Sequence, residues 1–262
     1  MRDNEQESQV VIDPIQIAET AESIAALAGL SAGAFAYAAM WPASNLFGPA
    51  LRAPRNPPAS ALPQLALTFD DGPNPAWTPQ LLDILARHEI RATFFLIGQF
   101  AAIQSKLVQR MHTAGHLIAN HTWTHPNLAI TSAARTREEL SSTTEEIQQI
   151  IGAPIRYFRP PYGGRRPSTL QIARELGLEP VLWNAITPDW SAKSPEPVAA
   201  RMQKIITRNQ TRGYATNLVL HDGGQASPTE NRSASIAAAA QLIEHYKPTH
   251  RFVTLDEWQS TL

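Results

Sequence analysis

The stretch LALTFDDGPNP, from Leu65 to Pro75, decides the fold prediction. In it an apolar run of the β type stops at two adjacent carboxylates, Asp70 and Asp71, which Gly72 and Pro73 follow at once. Gly-Pro after an acidic residue is typical of a turn. A turn alone does not explain why a buried strand leads into two neighbouring anions that repel each other. The stretch therefore predicts a strand whose carboxyl end meets a positively charged partner.

The composition limits what this partner and this protein can be. With 262 residues, of which 43% are hydrophobic and 17% charged, the chain can bury a sizeable core. A net charge of -1, with the basic residues scattered, excludes nucleic acid as an electrostatically favoured partner. The absence of cysteine excludes disulfides and thiolate metal sites, so any metal ion must be held by His, Asp or Glu.

The N-terminal part of the chain differs from the rest because no charged residue lies between Glu22 and Arg52. The run Ile24–Trp41 approaches the length of ~20 apolar residues that a membrane-spanning helix needs. We therefore expect residues 23–41 to form an apolar helix and to be a candidate membrane anchor. The alternative is an Ala-rich helix that packs against the domain or a partner.

These observations predict the domain organisation and the location of the protein. We expect a membrane-associated protein of the cell envelope, and the sequence leaves open both the side of the membrane and the oligomeric state. The predicted order is a polar segment at 1–22, an apolar helical segment at 23–50, an extended Pro-rich linker at 51–63, and a catalytic domain at 64–262.

After Gln64, short apolar runs alternate with segments of helical spacing, which is typical of parallel β/α units. Seven predicted strands indicate an α/β fold, an incomplete and distorted (β/α)7 barrel, although a doubly wound open sheet has much the same pattern. The predicted strands are Gln64–Phe69, Ala92–Ile97, His116–Asn120, Tyr157–Arg159, Pro180–Asn184, Leu218–His221 and Arg251–Leu255.

Polar residues gather directly after these predicted strands. Because the carboxyl ends of parallel strands meet on one face of the fold, we expect the polar groups to share one pocket. The groups are Asp70-Asp71, His121 to His125, Arg159 to Tyr162, Asp189-Trp190 and His221-Asp222.

The sequence NHTWTHPN places His121 and His125 four residues apart, a spacing that on a helical turn puts both imidazoles on one face. A working metal site needs a third protein ligand and an open position for water. One member of the Asp70-Asp71 pair would supply that ligand, and its neighbour would be a general base. The similarly spaced pair His112 and His116 is predicted to be structural, because Gly115 interrupts the helix between them.

The motifs TFDDGP, HTWTH, RPPYG, DW and LVLHD follow one another in the order found in polysaccharide deacetylases. The chain resembles this family, carbohydrate esterase family four with its chitooligosaccharide, or nodulation-type, deacetylase domain, over about Gln64 to Trp258. The resemblance implies a hydrolase of carbon–nitrogen bonds that removes acetyl groups from an N-acetylated or O-acetylated carbohydrate. It also implies one divalent metal ion, usually Zn²⁺ and sometimes Co²⁺.

The resemblance further implies a role for each matching residue. It assigns Asp70 as general base, His221 as general acid and Arg159 as the partner that orients the base. The backbone N–H of Tyr162 would bind the oxyanion, and Asp189 would support the acid or the base. The other implied residues are the metal ligands Asp71, His121 and His125, and the groove residues Trp190 and Leu220.

Two features set this sequence apart from the family's pattern. Ile186 stands where many members have the first Asp of Asp-x-x-Asp-Trp, which leaves the substrate class open. Arg165 and Arg166 add two cations beside the predicted site, either as a solvated helix start or to recognise an anionic sugar. Two alternative functions remain: deformylation or deacetylation of a lipid-linked amino sugar, and carbohydrate binding by a non-catalytic relative.

Overall fold

The structure is a computed structural model that describes residues 33–55 and 61–261. The predictions for residues 1–32, which include about half of the candidate anchor at 23–41, and for residues 56–60 of the linker lie outside the described residues. The strands are β1 Gln64–Gly72, β2 Thr93–Leu96, β3 Leu117–Asn120, β4 Tyr157–Phe158, β5 Glu179–Pro180, β6 Ala185–Ile186, β7 Thr216–His221 and β8 Arg251–Val253. The helices are α1 Thr78–Arg87, α2 Gly98–Ile103, α3 Ser105–Thr113, α4 Ala133–Ile151, α5 Pro167–Glu175, α6 Pro195–Thr211 and α7 Ser233–Tyr246.

The strands form one parallel sheet in the order β5-β4-β3-β2-β1-β7-β6, with β8 paired to β1. Helices follow most of the strands, and the sheet curls into a half-barrel. The predicted incomplete (β/α)7 barrel is therefore confirmed.

The predicted strand at Pro180–Asn184 is wrong in one respect, because it divides into β5 and β6. These two short strands occupy opposite edges of the sheet, and only residues 181–184 connect them. The side chain of Asn217, on β7, donates to the Leu182 carbonyl at 2.7 Å. The backbone N–H of Asn217 donates to Oδ1 of Asn184 at 2.8 Å. This connection brings the two sheet edges close together, with no pairing between β5 and β6.

Alternation along β1 decides which side chains face the site. Leu65, Leu67 and Phe69 pack in the core between the sheet and the helices. Ala66 belongs to a second, smaller core cluster. Because successive strand residues point to opposite faces, Asp70 at the end of β1 faces the barrel interior.

A segment that precedes β1 also packs on the barrel. Residues 33–40 are helical, and the chain then makes turns at 42–43 and 46–47 before it runs along the domain to Arg55. The Leu51 N–H donates to the Pro180 carbonyl at 2.8 Å, and the Ala215 N–H donates to the Pro54 carbonyl at 3.0 Å. The first part of the predicted linker is thus extended and attached to the domain, and the limits 51–63 remain a prediction.

Among residues 33–55 and 61–261, no helix has both the length and the apolar character needed to cross a bilayer.

Candidate active site

Two adjacent aspartates at the end of β1 point in different directions. Asp71 has a φ of +68°, in the left-handed region that residues other than glycine seldom adopt. Asp70 Oδ1 accepts from the Arg159 guanidinium at 2.6 Å, whereas Asp71 Oδ1 lies among the histidines of the loop after β3. The two carboxylates therefore have different partners, as the sequence predicts.

Asp71, His121 and His125 converge on one point. The two imidazole Nε2 atoms lie 3.3 and 3.1 Å from Asp71 Oδ1, and the potential ligand atoms all lie within 4.8 Å of one another. Burial alone would raise the pKa of Asp71, but the adjacent imidazoles of His121 and His125 and the charge of His221 hold that pKa well below its usual value. The carboxylate is therefore ionised, as a metal ligand must be.

The donor set fits a divalent metal ion. His121 Nδ1 lies 2.8 Å from the Arg159 carbonyl, which can only accept, so Nδ1 carries the hydrogen. In the neutral imidazole, Nε2 then directs a lone pair at the Asp71 carboxylate, and Asp71 Oδ1 is a buried atom without a hydrogen bond. A cation bound to these atoms would remove this repulsion. Two imidazoles and a carboxylate are a typical ligand set for catalytic zinc.

The prediction that His121 and His125 share a helical turn is wrong, because residues 121–127 form a loop. Thr122 and His125 both have left-handed backbone angles, with φ of +68° and +61°. The Thr122 hydroxyl accepts from the His125 N–H at 3.1 Å, and Asn120 Oδ1 accepts from the Thr122 N–H at 2.7 Å. These contacts fold the loop back, so that both imidazoles reach Asp71.

Glu139 of α4 supports this loop from behind, and the sequence analysis missed it. Its carboxylate is fully buried and accepts from the N–H groups of Trp123 and Thr124, both at 2.7 Å, and from the Thr124 hydroxyl at 2.6 Å. Arg135, one turn earlier, pairs with it at 2.6 Å. A signal for it exists in the sequence, because Glu139 lies beside Leu140 on the buried face of an amphipathic helix.

Arg159, directly after β4, is a fully buried cation held on several sides. Besides Asp70, its guanidinium donates to the Thr68 hydroxyl at 2.8 Å, and it lies 4.0 Å from the centre of the Phe95 ring. Burial lowers the pKa of Arg159, which Asp70 partly offsets. The side chain of Arg159 fixes the orientation of Asp70. The backbone carbonyl of Arg159 fixes the orientation of the His121 ring.

His221 and Asp189 form a second buried pair across the site. Asp189 Oδ1 lies 2.9 Å from His221 Nδ1, and Oδ2 accepts from the His221 N–H at 2.8 Å and the Ser235 hydroxyl at 2.5 Å. Burial would lower the pKa of His221, but Asp189, together with Asp71 and Asp70, raises it to about 9. This imidazole therefore retains a proton at neutral pH in the protein without a metal.

Both aspartates at the end of β1 line one cavity of about 570 Å³ together with the histidines His121, His125 and His221. Tyr162, whose φ is +58°, places its ring 4.8 Å from His125, and its hydroxyl bonds to Gln225. Trp190 stacks edge-on to His221 at 5.0 Å. The other residues of the cavity wall are Pro160, Trp183, Ile186, Ala226, Glu230 and Arg232.

The prediction that Leu220 lines the groove is not met. Leu220 is fully buried in the hydrophobic core, together with Leu218. Because strand side chains alternate, the barrel-facing residues of β7 are Asn217, Val219 and His221. The residue next to His221 must therefore point away from the site.

Neither arginine of the GRRP motif faces the cavity. Arg165 is 1% exposed and donates to backbone carbonyls, so it is neither solvated nor available to a substrate. Arg166 is partly buried and donates to the Thr131 carbonyl. Both predictions for Arg165 are therefore wrong, and its partners in the segment before β1 could not be identified from local sequence.

A curled parallel half-barrel with an Asp-His-His triad at its strand ends fits the class of metal-dependent hydrolases. The family model for polysaccharide deacetylase matches residues 60–181. The chitooligosaccharide deacetylase of Sinorhizobium fredii (strain NBRC 101917 / NGR234) is 34% identical over 187 residues, which cover 69% of this chain and 84% of that protein. The chain belongs to the polysaccharide deacetylase family, carbohydrate esterase family four, and the curated relatives that it matches are named deacetylases.

Two further relatives support this assignment. A peptidoglycan-N-acetylglucosamine deacetylase of Bacillus cereus is 34% identical over 194 residues, which cover 73% of this chain and 66% of that protein. Among solved structures, the Bc1960 peptidoglycan N-acetylglucosamine deacetylase has a TM-score of 0.65 and 32% identity, and the match covers 79% of this chain and 91% of that one. Sequence and fold therefore agree on the family.

Proposed function

We propose that this protein removes acetyl groups from N-acetylglucosamine units of a polysaccharide, with one divalent metal ion, Zn²⁺, as cofactor. The observation that carries the proposal is that the Asp71-His121-His125 triad, the base Asp70 and the acid His221 line the same cavity. Amide hydrolysis needs a reactive water, a polarised carbonyl and a proton for a poor leaving group. The cavity offers a candidate for each.

Asp71, His121 and His125 would hold the metal. When bound, a divalent ion supplies Lewis acidity, which polarises an acyl carbonyl and lowers the pKa of a water to about 7. Asp70 has Oδ1 tied to Arg159 and Oδ2 4.0 Å from His121 Nε2. Its Oδ2 is thus beside the ligand atoms and in position to take a proton from the attacking water.

His221 completes the reaction on the other side of the cavity. With Asp189 accepting at Nδ1, the second ring nitrogen, Nε2, is left to deliver a proton to the departing amine. The backbone N–H of Tyr162 would stabilise the oxyanion, a contribution worth roughly 3–4 kcal/mol where such donors have been removed. A base and an acid typically contribute about 100- to 10,000-fold each.

The substrate class rests on the wall of the cavity and on the relatives. Tyr162, Trp183 and Trp190 present aromatic surface suited to a sugar ring. The relatives are named for chitooligosaccharide and for peptidoglycan N-acetylglucosamine. Both names support an N-acetylated glucosamine as the unit that is deacetylated, and O-acetylated sugars are a secondary possibility that shares the same chemistry.

A lipid-linked amino sugar is the second candidate substrate, and membrane association in the cell envelope is part of that proposal. Tyr37 and Trp41 support it, because both are about half exposed and stack at 6.3 Å on the helix that continues the apolar N-terminal run. The buried position of Arg165 removes one argument for an anionic sugar. A non-catalytic relative is disfavoured because the base, the acid and the triad are all present.

The test is acetate release from chitooligosaccharides, peptidoglycan, acetylxylan and a lipid-linked amino sugar, each with the full chain loaded with Zn²⁺. We expect release from the N-acetylglucosamine polymers. Asp71→Ala should lose both the metal and the activity. Asp70→Asn should keep about one metal ion per chain and lose turnover, and full activity of this variant would remove Asp70 as the base.

A further inference from the structure

Arg165 is a buried cation whose hydrogen bonds go to backbone carbonyl oxygens. Its side chain donates to Gly163 at 3.1 Å, to Trp41 at 3.0 Å and to Ser44 at 2.6 Å. Its own N–H donates to the Ala39 carbonyl at 2.9 Å. One residue therefore ties the turn after β4 to a segment more than 120 positions earlier in the chain.

The turn held by Arg165 is the one that carries Tyr162. Tyr162 and Gly163 both have left-handed backbone angles, with φ of +58° and +70°. A Cβ placed on Gly163 would lie 3.5 Å from the Met40 carbonyl, which shows how closely the earlier segment approaches the turn. Tyr162 in this conformation needs support from outside the turn, because the region is unfavourable for a residue with a side chain.

The same segment also reaches the loop of the metal ligands. The Met40 sulfur contacts the Asn127 amide nitrogen at 4.0 Å. Asn127 Oδ1 in turn packs on Gly164, where a Cβ would come within 2.1 Å of it. Ala38 and Ala39 are buried at this contact, being 2% and 1% exposed. Residues 38–44 thus touch both loops from which the site is built.

Residues 38–44 lie before residue 60, where the match to the family model begins. We propose that residues 38–44 are part of the catalytic unit of this chain, and that Arg165 is a positioning residue that uses them to hold the Tyr162 turn. This inference rests on the proposed deacetylase function. It predicts that weakening the contacts between Arg165 and residues 38–44 misplaces the backbone N–H of Tyr162 and leaves the metal ligands in place.

The first experiment uses the full chain with Arg165→Met, which keeps an unbranched side chain and removes its donors. We expect kcat to fall about 10- to 100-fold, with KM and Zn²⁺ affinity little changed, because an oxyanion donor acts in the transition state. Arg165→Lys should recover part of the loss. The matched control is Arg55→Met, at the other end of the same segment, where Arg55 lies over Tyr214.

The second experiment is a double-mutant cycle with Ala39→Glu, which displaces the segment from its side of the contact. If Arg165 acts through residues 38–44, the double variant should lose no more kcat than the more impaired single variant. Additive losses would overturn the inference, as would an Arg165→Met variant with unchanged kcat beside an active wild type. Thermal unfolding and bound Zn²⁺ identify any variant that has not folded.

Hydrogen exchange provides a readout that does not depend on deacetylation. In Arg165→Met, peptides spanning residues 38–44 and 160–166 should lose protection together, and the peptide spanning 121–127 should change less. Unchanged hydrogen exchange at residues 160–166 would refute the positioning role of Arg165. A wild type without acetate release would refute the proposed function instead, and the exchange result would still decide the role of Arg165.

Discussion

Replacing Asp189 with Asn should remove the acceptor that stabilises the protonated form of His221. Asp189 Oδ2 accepts from the His221 N–H and from the Ser235 hydroxyl. Since a backbone N–H can only donate, the Asn carbonyl oxygen must take the Oδ2 position. Its amide N–H₂ then faces His221 Nδ1, where the native carboxylate accepts at 2.9 Å. The protonated imidazole loses its partner and meets a second donor.

The size of the effect follows from the bond that is lost. A hydrogen bond to a charged group contributes about 1.5–3 kcal/mol, and one pKa unit corresponds to about 1.36 kcal/mol, so the pKa of His221 should fall by about one to two units. Its value without a metal is about 9. A bound cation lowers the pKa of wild type and variant alike, so the difference remains. Because the acid works in its protonated form, the basic limb of the kcat profile should move to lower pH by the same amount.

The assay is acetate release between about pH 6 and pH 10, combined with NMR titration of the His221 ring in the metal-free protein. Near pH 8 a fall of the pKa from about 9 by two units leaves about one-tenth of the protonated fraction. Because a bound cation lowers the pKa of both proteins, the loss in kcat at this pH should be at least about tenfold. Ser235→Ala is the control, since it removes one neutral donor and keeps the charge of Asp189. A basic limb of Asp189→Asn that coincides with that of the wild type would refute this account of His221.

Three further outcomes are expected. Glu139→Gln should weaken Zn²⁺ binding about 10- to 100-fold in competition with a chelating dye, whereas Glu138→Gln, on the exposed side of the same helix, should not; equal affinities would show that the loop does not need the buried charge. Burial, with a smaller effect of a nearby arginine, lowers the pKa of His116 to about 4. The folded state therefore resists protonation as the pH falls below about 6.5, and about 2 kcal/mol of unfolding free energy should be lost between about pH 7 and pH 5; denaturation of His116→Gln at both pH values should show a smaller loss. Tyr162→Phe should leave kcat unchanged, because the hydroxyl bonds to Gln225 and the proposed reaction uses the backbone N–H; a large loss would assign the hydroxyl a direct role.

The convergence of the site could be predicted because it depends on a general property of parallel sheets. Asp70, Arg159 and His221 each end a strand, and the carboxyl ends of such strands meet on one face. Their separation along the chain is therefore no obstacle, since topology alone brings them together. The position of Leu220 could have been predicted in the same way. Because side chains alternate along β7, placing His221 inside the barrel excludes Leu220 from the groove.

The conformation of the loops could not be predicted, because contacts with distant residues impose it. The spacing of His121 and His125 indicates a helical turn, but a buried carboxylate on α4 and the left-handed Thr122 produce the same convergence in a loop. Arg165 lies in a polar local sequence that is typical of solvent exposure. Its burial is favourable because it donates to the Gly163 carbonyl and to the carbonyl oxygens of residues 41 and 44, which are distant in the sequence.

The backbone angles around the site affect which substitutions would stabilise this protein. Asp71, Thr122, His125 and Tyr162 all have positive φ without being glycine. At about 1–2 kcal/mol each, such residues together reduce stability by on the order of 4 kcal/mol or more, a large share of what a domain has. A descendant released from selection for turnover would gain thermal tolerance by accumulating Gly or Asn there. Heat resistance and chemical competence are therefore opposed at these four positions.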